Sequence, residues 1–142
     1  SIRGCDACES CKSGTRECVV RDDMTPLYRS LRDSDILLIG TPVYWWGPSA
    51  QIKAVIDRLF AFADAPGESP LSGKRAIVVV ALEDEPSQAV HLIGMLDKSF
   101  DFLGVKCVGT VIAQAGPKGA VKRQRKVMNQ AYELGRSLGV GG

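Results

Sequence analysis

One histidine, His91, is the only imidazole in the sequence. It falls inside a helical pattern, which favours a surface or packing role over that of a general base. No G-x-S-x-G elbow accompanies it, so nothing supports a serine hydrolase. The patterns G-x-G-x-x-G and G-x-x-x-x-G-K-[ST] are also absent, which removes the usual dinucleotide fingerprint and the P-loop. Apolar runs stay well short of the roughly 20 residues a membrane span needs. The opening residues are polar and glycine-containing, unlike a secretory signal. An excess of one charge sign is lacking: 18 Lys and Arg against 16 Asp and Glu leave a net value of +2, too little to point to nucleic acid. Lys122, Arg123, Arg125 and Lys126 do cluster. They read as a solvated helix face, with a phosphate-binding patch the lesser alternative.

What is present fits one α/β domain. The 142 residues, 45% hydrophobic and 24% charged, can bury a core. Residues 1–21 show no helical or strand period and read as a cysteine-rich loop. Asp22 or Asp23 can cap a helix running through Leu27 and Leu31, with Pro26 in its first turn. An apolar strand follows at 36–39. Ser49 then caps a helix carrying Ile52, Val55, Ile56, Leu59 and Phe60 on one face. A Pro/Gly/Ser-rich loop at 65–73 leads to a second strand, 75–82. Ser87 opens a third helix, carrying Val90, Ile93, Leu96, Phe100 and Leu103, with Gly104 as its C-cap. A third strand spans 105–113. The last helix bears Val127, Met128, Ala131, Leu134 and Leu138, and residues 139–142 form a tail. Strands alternating with helices imply right-handed crossovers and a parallel sheet.

The stretch 35–47, DILLIGTPVYWWG, organises the rest. Ile36, Leu37, Leu38 and Ile39 have no polar interruption, which predicts a strand buried on both faces. Tyr44, Trp45 and Trp46 follow where open α/β folds bind ligands, beyond the carboxyl end of a strand. This placement predicts one wall of a flat site for a flavin ring. The competing reading puts the aromatics at a subunit interface, where Tyr and Trp are enriched. Glu83 and Asp84 follow the second strand and either border that site or cap the next helix.

Cys5, Cys8, Cys11 and Cys18 crowd one short loop with spacings of two, two and six residues. Four thiolates can hold a [4Fe–4S] cluster, although the last spacing departs from the ferredoxin pattern. Zinc and metal-free thiols are the alternatives. Cys107, in an apolar strand pattern, reads as a buried inert thiol.

Three strands make a poor doubly wound sheet, because the strand at 36–39 would form an exposed apolar edge. Since the chain opens on Ser1 rather than Met, the expectation is an upstream β-α-β segment that completes the sheet. The rival is a partner subunit covering that edge.

Taken together, the chain resembles the flavodoxin-like NAD(P)H-dependent FMN reductases, especially their iron–sulfur flavoprotein branch. The resemblance rests on the cysteine loop running into Val19-Val20-Arg21-Asp22-Asp23-Met24. It rests also on Thr41-Pro42-Val43-Tyr44-Trp45 after the strand, on Lys53 with Asp57-Arg58, and on Gly73-Lys74 before the next strand. It implies a flavodoxin-like, doubly wound parallel sheet in one domain over 1–142, here without its N-terminal β-α-β. It implies FMN as cofactor and NAD(P)H as reductant. The FMN ring would lie against Thr41, Pro42, Val43, Tyr44, Trp45, Trp46 and Gly47, with Leu82, Glu83 and Asp84 on a second side. Cys5, Cys8, Cys11 and Cys18 would hold the [4Fe–4S] cluster. The electron acceptor would be a quinone, a flavin, an aromatic compound or an iron–sulfur partner, and the protein a cytoplasmic homodimer or homotetramer. Two other functions stand beside this one: a one-electron carrier that does not oxidise NAD(P)H, and a non-enzymatic zinc-loop or interaction module.

Overall fold

Three parallel strands, β1 (Ile36–Pro42), β2 (Arg75–Leu82) and β3 (Lys106–Gln114), form a sheet in the order β1-β2-β3 in the computed structural model, which describes residues 1–13 and 17–139. Helices α1 (Met24–Asp33), α2 (Ala50–Arg58), α3 (Val90–Leu103) and α4 (Arg125–Gly139) alternate with them. The expected α/β order therefore holds. Gly14 of the cysteine loop and residues 140–142 of the tail lie outside the described residues.

Side-chain alternation assigns the two faces of the sheet. Leu37, Ala76, Val78, Val80 and Leu82 share one core with Leu92, Leu96 and Phe100 of α3 and with Met24 and Tyr28 of α1. Gly109 lies on the opposite face, under α4, where a Cβ atom would come within 2.6 Å of Leu134 Cδ1. That glycine lets α4 approach the strand.

The two-sided burial expected of β1 fails at Leu38, which is 68% exposed. Leu37 is buried in the core, but its neighbour points to the other face. Among the described helices α4 packs there, and it packs on β3. β1 is thus an edge strand that is half covered. An apolar groove of about 350 Å³ runs along it, lined by Leu37, Leu38, Ile52 and Val55 among others.

Local signals settle most helix ends. Ser49 accepts from Ile52 N–H and caps α2 as expected. Gly104 takes the left-handed φ of 68° that ends α3. At α1, Asp22 Oδ1 accepts from Met24 N–H at 3.0 Å, although Asp23 stands at the N-cap position. The third helix differs from expectation. Its first turn, Pro86–Ala89, is a 3-10 helix, and Leu92 rather than Val90 joins the core.

Candidate functional site

The parallel register brings two strand ends together. Pro42 pairs with Ala81, and Val43 N–H donates to Ala81 O at 2.9 Å, one step beyond β1. The loop after β1 therefore starts beside the loop after β2. Between them lies a cleft of about 260 Å³ lined by Val43, Trp45, Trp46, Leu82, Glu83, Asp84 and Gln88.

The aromatic loop is a tight turn. Tyr44 and Gly47 exchange two backbone hydrogen bonds, at 2.9 and 3.0 Å. Trp45 and Trp46 occupy the two central positions with φ of 49° and 60°. Both are left-handed, the geometry of a type I′ turn, which normally selects Asn or Gly. Holding a non-glycine residue there costs on the order of 1–3 kcal/mol, and such strain collects at functional sites. The indoles are not spent on the core: Trp45 is 90% exposed and Trp46 49%. They meet edge to face with ring centroids 5.7 Å apart. Trp46 Nε1 also donates to Gln88 Oε1 at 2.9 Å.

Six of the ten residues expected around the ring line this cleft: Val43, Trp45, Trp46, Leu82, Glu83 and Asp84. The other four shape its wall from behind or outside. Thr41 is buried, its Oγ1 accepting from Ser49 N–H at 3.0 Å and donating to Pro42 O at 2.9 Å. It thereby fastens the loop to the start of α2. Pro42 ends β1, Gly47 closes the turn, and Tyr44 points into solvent. Sequence reasoning missed Gln88. The sole available signal was its position one residue past the expected helix start at Ser87.

The cysteines are spread through different surroundings. Cys5 and Cys8 are exposed, Cys11 is buried and Cys18 is half-buried. Burial pushes the Cys11 thiol above its usual range, whereas hydrogen bonding with Ser10 lowers that of Cys8. Among the described residues, no three Cys, His, Asp or Glu side chains gather in a metal-ligating group. This arrangement does not fit a [4Fe–4S] cluster. Cys107 is half-buried in β3, with its sulfur 3.8 Å from Gly109 O.

The loop is nevertheless anchored. Arg58, at the end of α2, is 1% exposed. Its Nη1 donates to Asp22 at 2.9 Å and to Arg3 O at 3.2 Å, and its Nη2 donates to Val20 O at 3.0 Å. Tyr28 Oη donates to Arg58 O at 2.8 Å. Burial pushes the Tyr28 phenol up to about 12. Lys12 adds a second tether, donating to Phe60 O at 2.6 Å and to Ala63 O. Lys53 pairs with Asp57 at 2.6 Å on the exposed side of α2.

The family model described as NADPH-dependent FMN reductase matches residues 5–136. This chain belongs to the NADPH-dependent FMN reductase family. Within the family it is similar to an iron-sulfur flavoprotein of Archaeoglobus fulgidus, 33% identical over 139 residues, covering 96% of this chain and 59% of that protein. The chain thus spans rather less than two thirds of this relative. Its structure is similar to that of the Trp repressor binding protein from Bacillus subtilis, with a TM-score of 0.72 at 28% identity. That likeness covers 81% of this chain and 73% of the other. A flavodoxin, WrbA-like protein from Agrobacterium tumefaciens matches with a TM-score of 0.54 at 20% identity, over 75% of this chain and 71% of that one. The fold of this FMN reductase family member is accordingly flavodoxin-like. Among its described residues, no helix is long and apolar enough to cross a membrane.

Proposed function

We propose that the chain supplies the ring-binding part of an FMN-dependent oxidoreductase that takes electrons from NAD(P)H and passes them to a small-molecule or protein acceptor, a quinone, flavin, aromatic compound or iron–sulfur partner. The observation that carries this reading is the strained Trp45-Trp46 turn at the mouth of the cleft between β1 and β2. Two indoles held in a costly conformation and left exposed offer flat apolar faces to a flat ring. Family membership and the description NADPH-dependent FMN reductase support the choice of ring and reductant.

The lining residues fit a ring rather than a phosphate. Val43 and Leu82 are apolar, the indoles are flat, and Glu83 and Asp84 bring negative charge with no Lys or Arg beside them. Two carboxylates repel a phosphate, so the phosphate end lies elsewhere in this reading. When bound, FMN supplies the hydride and electron chemistry. The protein's share is position, water exclusion and electrostatics. The indoles shield the cleft, Thr41 and Ser49 hold the loop that carries them, and Glu83 and Asp84 oppose negative charge building there. No step is assigned to the cysteine loop, whose thiols form no metal-ligating group among the described residues. The iron–sulfur branch is supported here by the cysteine spacing and by the name of the Archaeoglobus relative.

A further strand against the free edge of β1 belongs to this reading, as do a homodimer or homotetramer and a cytoplasmic location. The exposed edge at Leu38 supports the added strand, and the family resemblance is the ground for proposing the assembly and the location.

The test is direct. Full-length protein is incubated with FMN, desalted and scanned, then mixed with NAD(P)H. Flavin absorbance should survive desalting, and NAD(P)H should be oxidised when a quinone is added. A colourless protein with no NAD(P)H oxidation sinks the proposal.

A further inference from the structure

Gln88 stands on the 3-10 helix Pro86–Ala89, which is steadied by Gln88 N–H donating to Glu85 O at 2.8 Å and by the fully buried Ala89. Its side chain lines the cleft and reaches the aromatic turn across 42 residues of sequence. An indole N–H can only donate. The Gln88 atom that meets Trp46 is therefore the amide oxygen, at 2.9 Å. This contact removes the usual ambiguity in the orientation of a glutamine amide. The amide nitrogen, with two hydrogens, is the end left over, and among the described residues nothing accepts from it.

The other polar groups of the cleft make that nitrogen informative. Ionised Glu83 and Asp84 can only accept hydrogen bonds. The Trp46 N–H is already committed to Gln88. Besides the Trp45 indole, the Gln88 amide is thus the side-chain N–H donor available among the lining residues. Along one edge a flavin presents acceptors, two carbonyl oxygens and two unprotonated ring nitrogens when oxidised, around a single ring N–H donor.

We infer that Gln88 is a ligand-reading residue of this cleft: its oxygen is held by Trp46, and its amide nitrogen donates to an acceptor on the ring edge. The inference rests on the reading of the cleft as an FMN-ring site and names the side chain that recognises the ring. Wall and ligand are thereby coupled through one amide. A ring without an acceptor on that edge gains nothing from Gln88.

Two variants of the full-length protein separate the two ends of the amide. Gln88→Glu keeps an acceptor for Trp46 but offers the ring no donor. Gln88→Met keeps the volume and offers neither. FMN affinity is read by quenching of flavin fluorescence. The clamp is read in the ligand-free protein from the Trp46 indole N–H resonance, assigned with Trp46→Phe. Both variants should bind FMN about 10-fold more weakly, the effect of losing one hydrogen bond. The indole resonance should move in Gln88→Met and stay close to its wild-type position in Gln88→Glu. If wild-type protein binds FMN and Gln88→Met binds it equally well, the inference is overturned while the flavin site stands. A weakened Gln88→Glu beside an unaffected Gln88→Met counts as the same overturning result, since added negative charge then explains the loss. If the wild-type protein does not bind FMN at all, the functional reading fails and the inference falls with it.

Discussion

Arg58 Nη1 lies 2.9 Å from Asp22 Oδ2, and the two side chains are 1% and 9% exposed. The pair joins the end of α2 to the segment that leads out of the cysteine loop. The same guanidinium holds the Arg3 and Val20 carbonyls. One arginine therefore fastens residues on both sides of the cysteines to the helix that follows the aromatic turn. The Asp57-Arg58 step of the family pattern acquires a physical meaning: Asp57 pairs outward with Lys53, and Arg58 turns inward as a clamp.

Replacing Arg58 by Ala should cost about 3 kcal/mol or more, because Asp22 is left as an uncompensated charge in a nearly buried place. Urea unfolding reports it as a lowered midpoint. Arg58→Lys should recover a minor part, since one ammonium cannot reach Asp22, Arg3 O and Val20 O together. A wild-type midpoint in Arg58→Ala would show that the loop is not anchored there.

Acid should undo the same contact. Burial alone would raise the Asp22 carboxyl, but hydrogen bonds from Arg3 N–H, the Arg58 guanidinium and Met24 N–H, with the charge of Arg58, outweigh it and bring the carboxyl from 3.8 to about 2. A carboxyl lowered in the folded state stabilises above its unfolded value and loses that contribution as the pH falls towards its folded value. Stability measured between pH 4 and pH 2 should therefore decline more steeply in the wild type than in Asp22→Asn. Parallel curves would remove Asp22 as the source.

The Trp45-Trp46 turn should show stability and binding pulling apart. Replacing the pair by Asn-Gly suits a type I′ turn and relieves strain on the order of 1–3 kcal/mol per residue. The thermal midpoint should rise while FMN affinity falls by a factor of about 10 or more, as the flat wall is lost. Equal FMN affinity would mean that the indoles are not the wall.

Thr41 should behave as a structural residue. Thr41→Val leaves Ser49 N–H buried without its acceptor, at a cost of about 1–3 kcal/mol, and Thr41→Ser should restore it. Calorimetry of the two variants checks this. A stable Thr41→Val that loses only FMN would instead put Thr41 on the ligand.

Much of the secondary structure is legible in the sequence. The strand–helix alternation, the Ser49 cap and the Gly104 stop each depend on a few neighbouring residues, and each stands where local chemistry puts it. The two loops at the strand ends also follow from a general rule of parallel sheets. The role of Leu38 is not legible there: a run of four apolar residues says nothing about whether a helix arrives to cover each face. The cysteine spacing likewise specifies ligand types without directions, and the thiols of Cys5 and Cys11 end up outside and inside the protein.

By itself the sequence determined the element order, the Ser49 cap, the Gly104 stop and the aromatic loop beyond β1, because periodicity, capping and turn chemistry act over a few residues. Tertiary structure alone decided that Thr41 faces inward, that Arg58 meets Asp22 and that Gln88 meets Trp46. The last two contacts join residues 36 and 42 positions apart. They exist because the parallel register sets β1 beside β2 and because the packing of α1 and α2 closes the chain on itself, which no local pattern encodes.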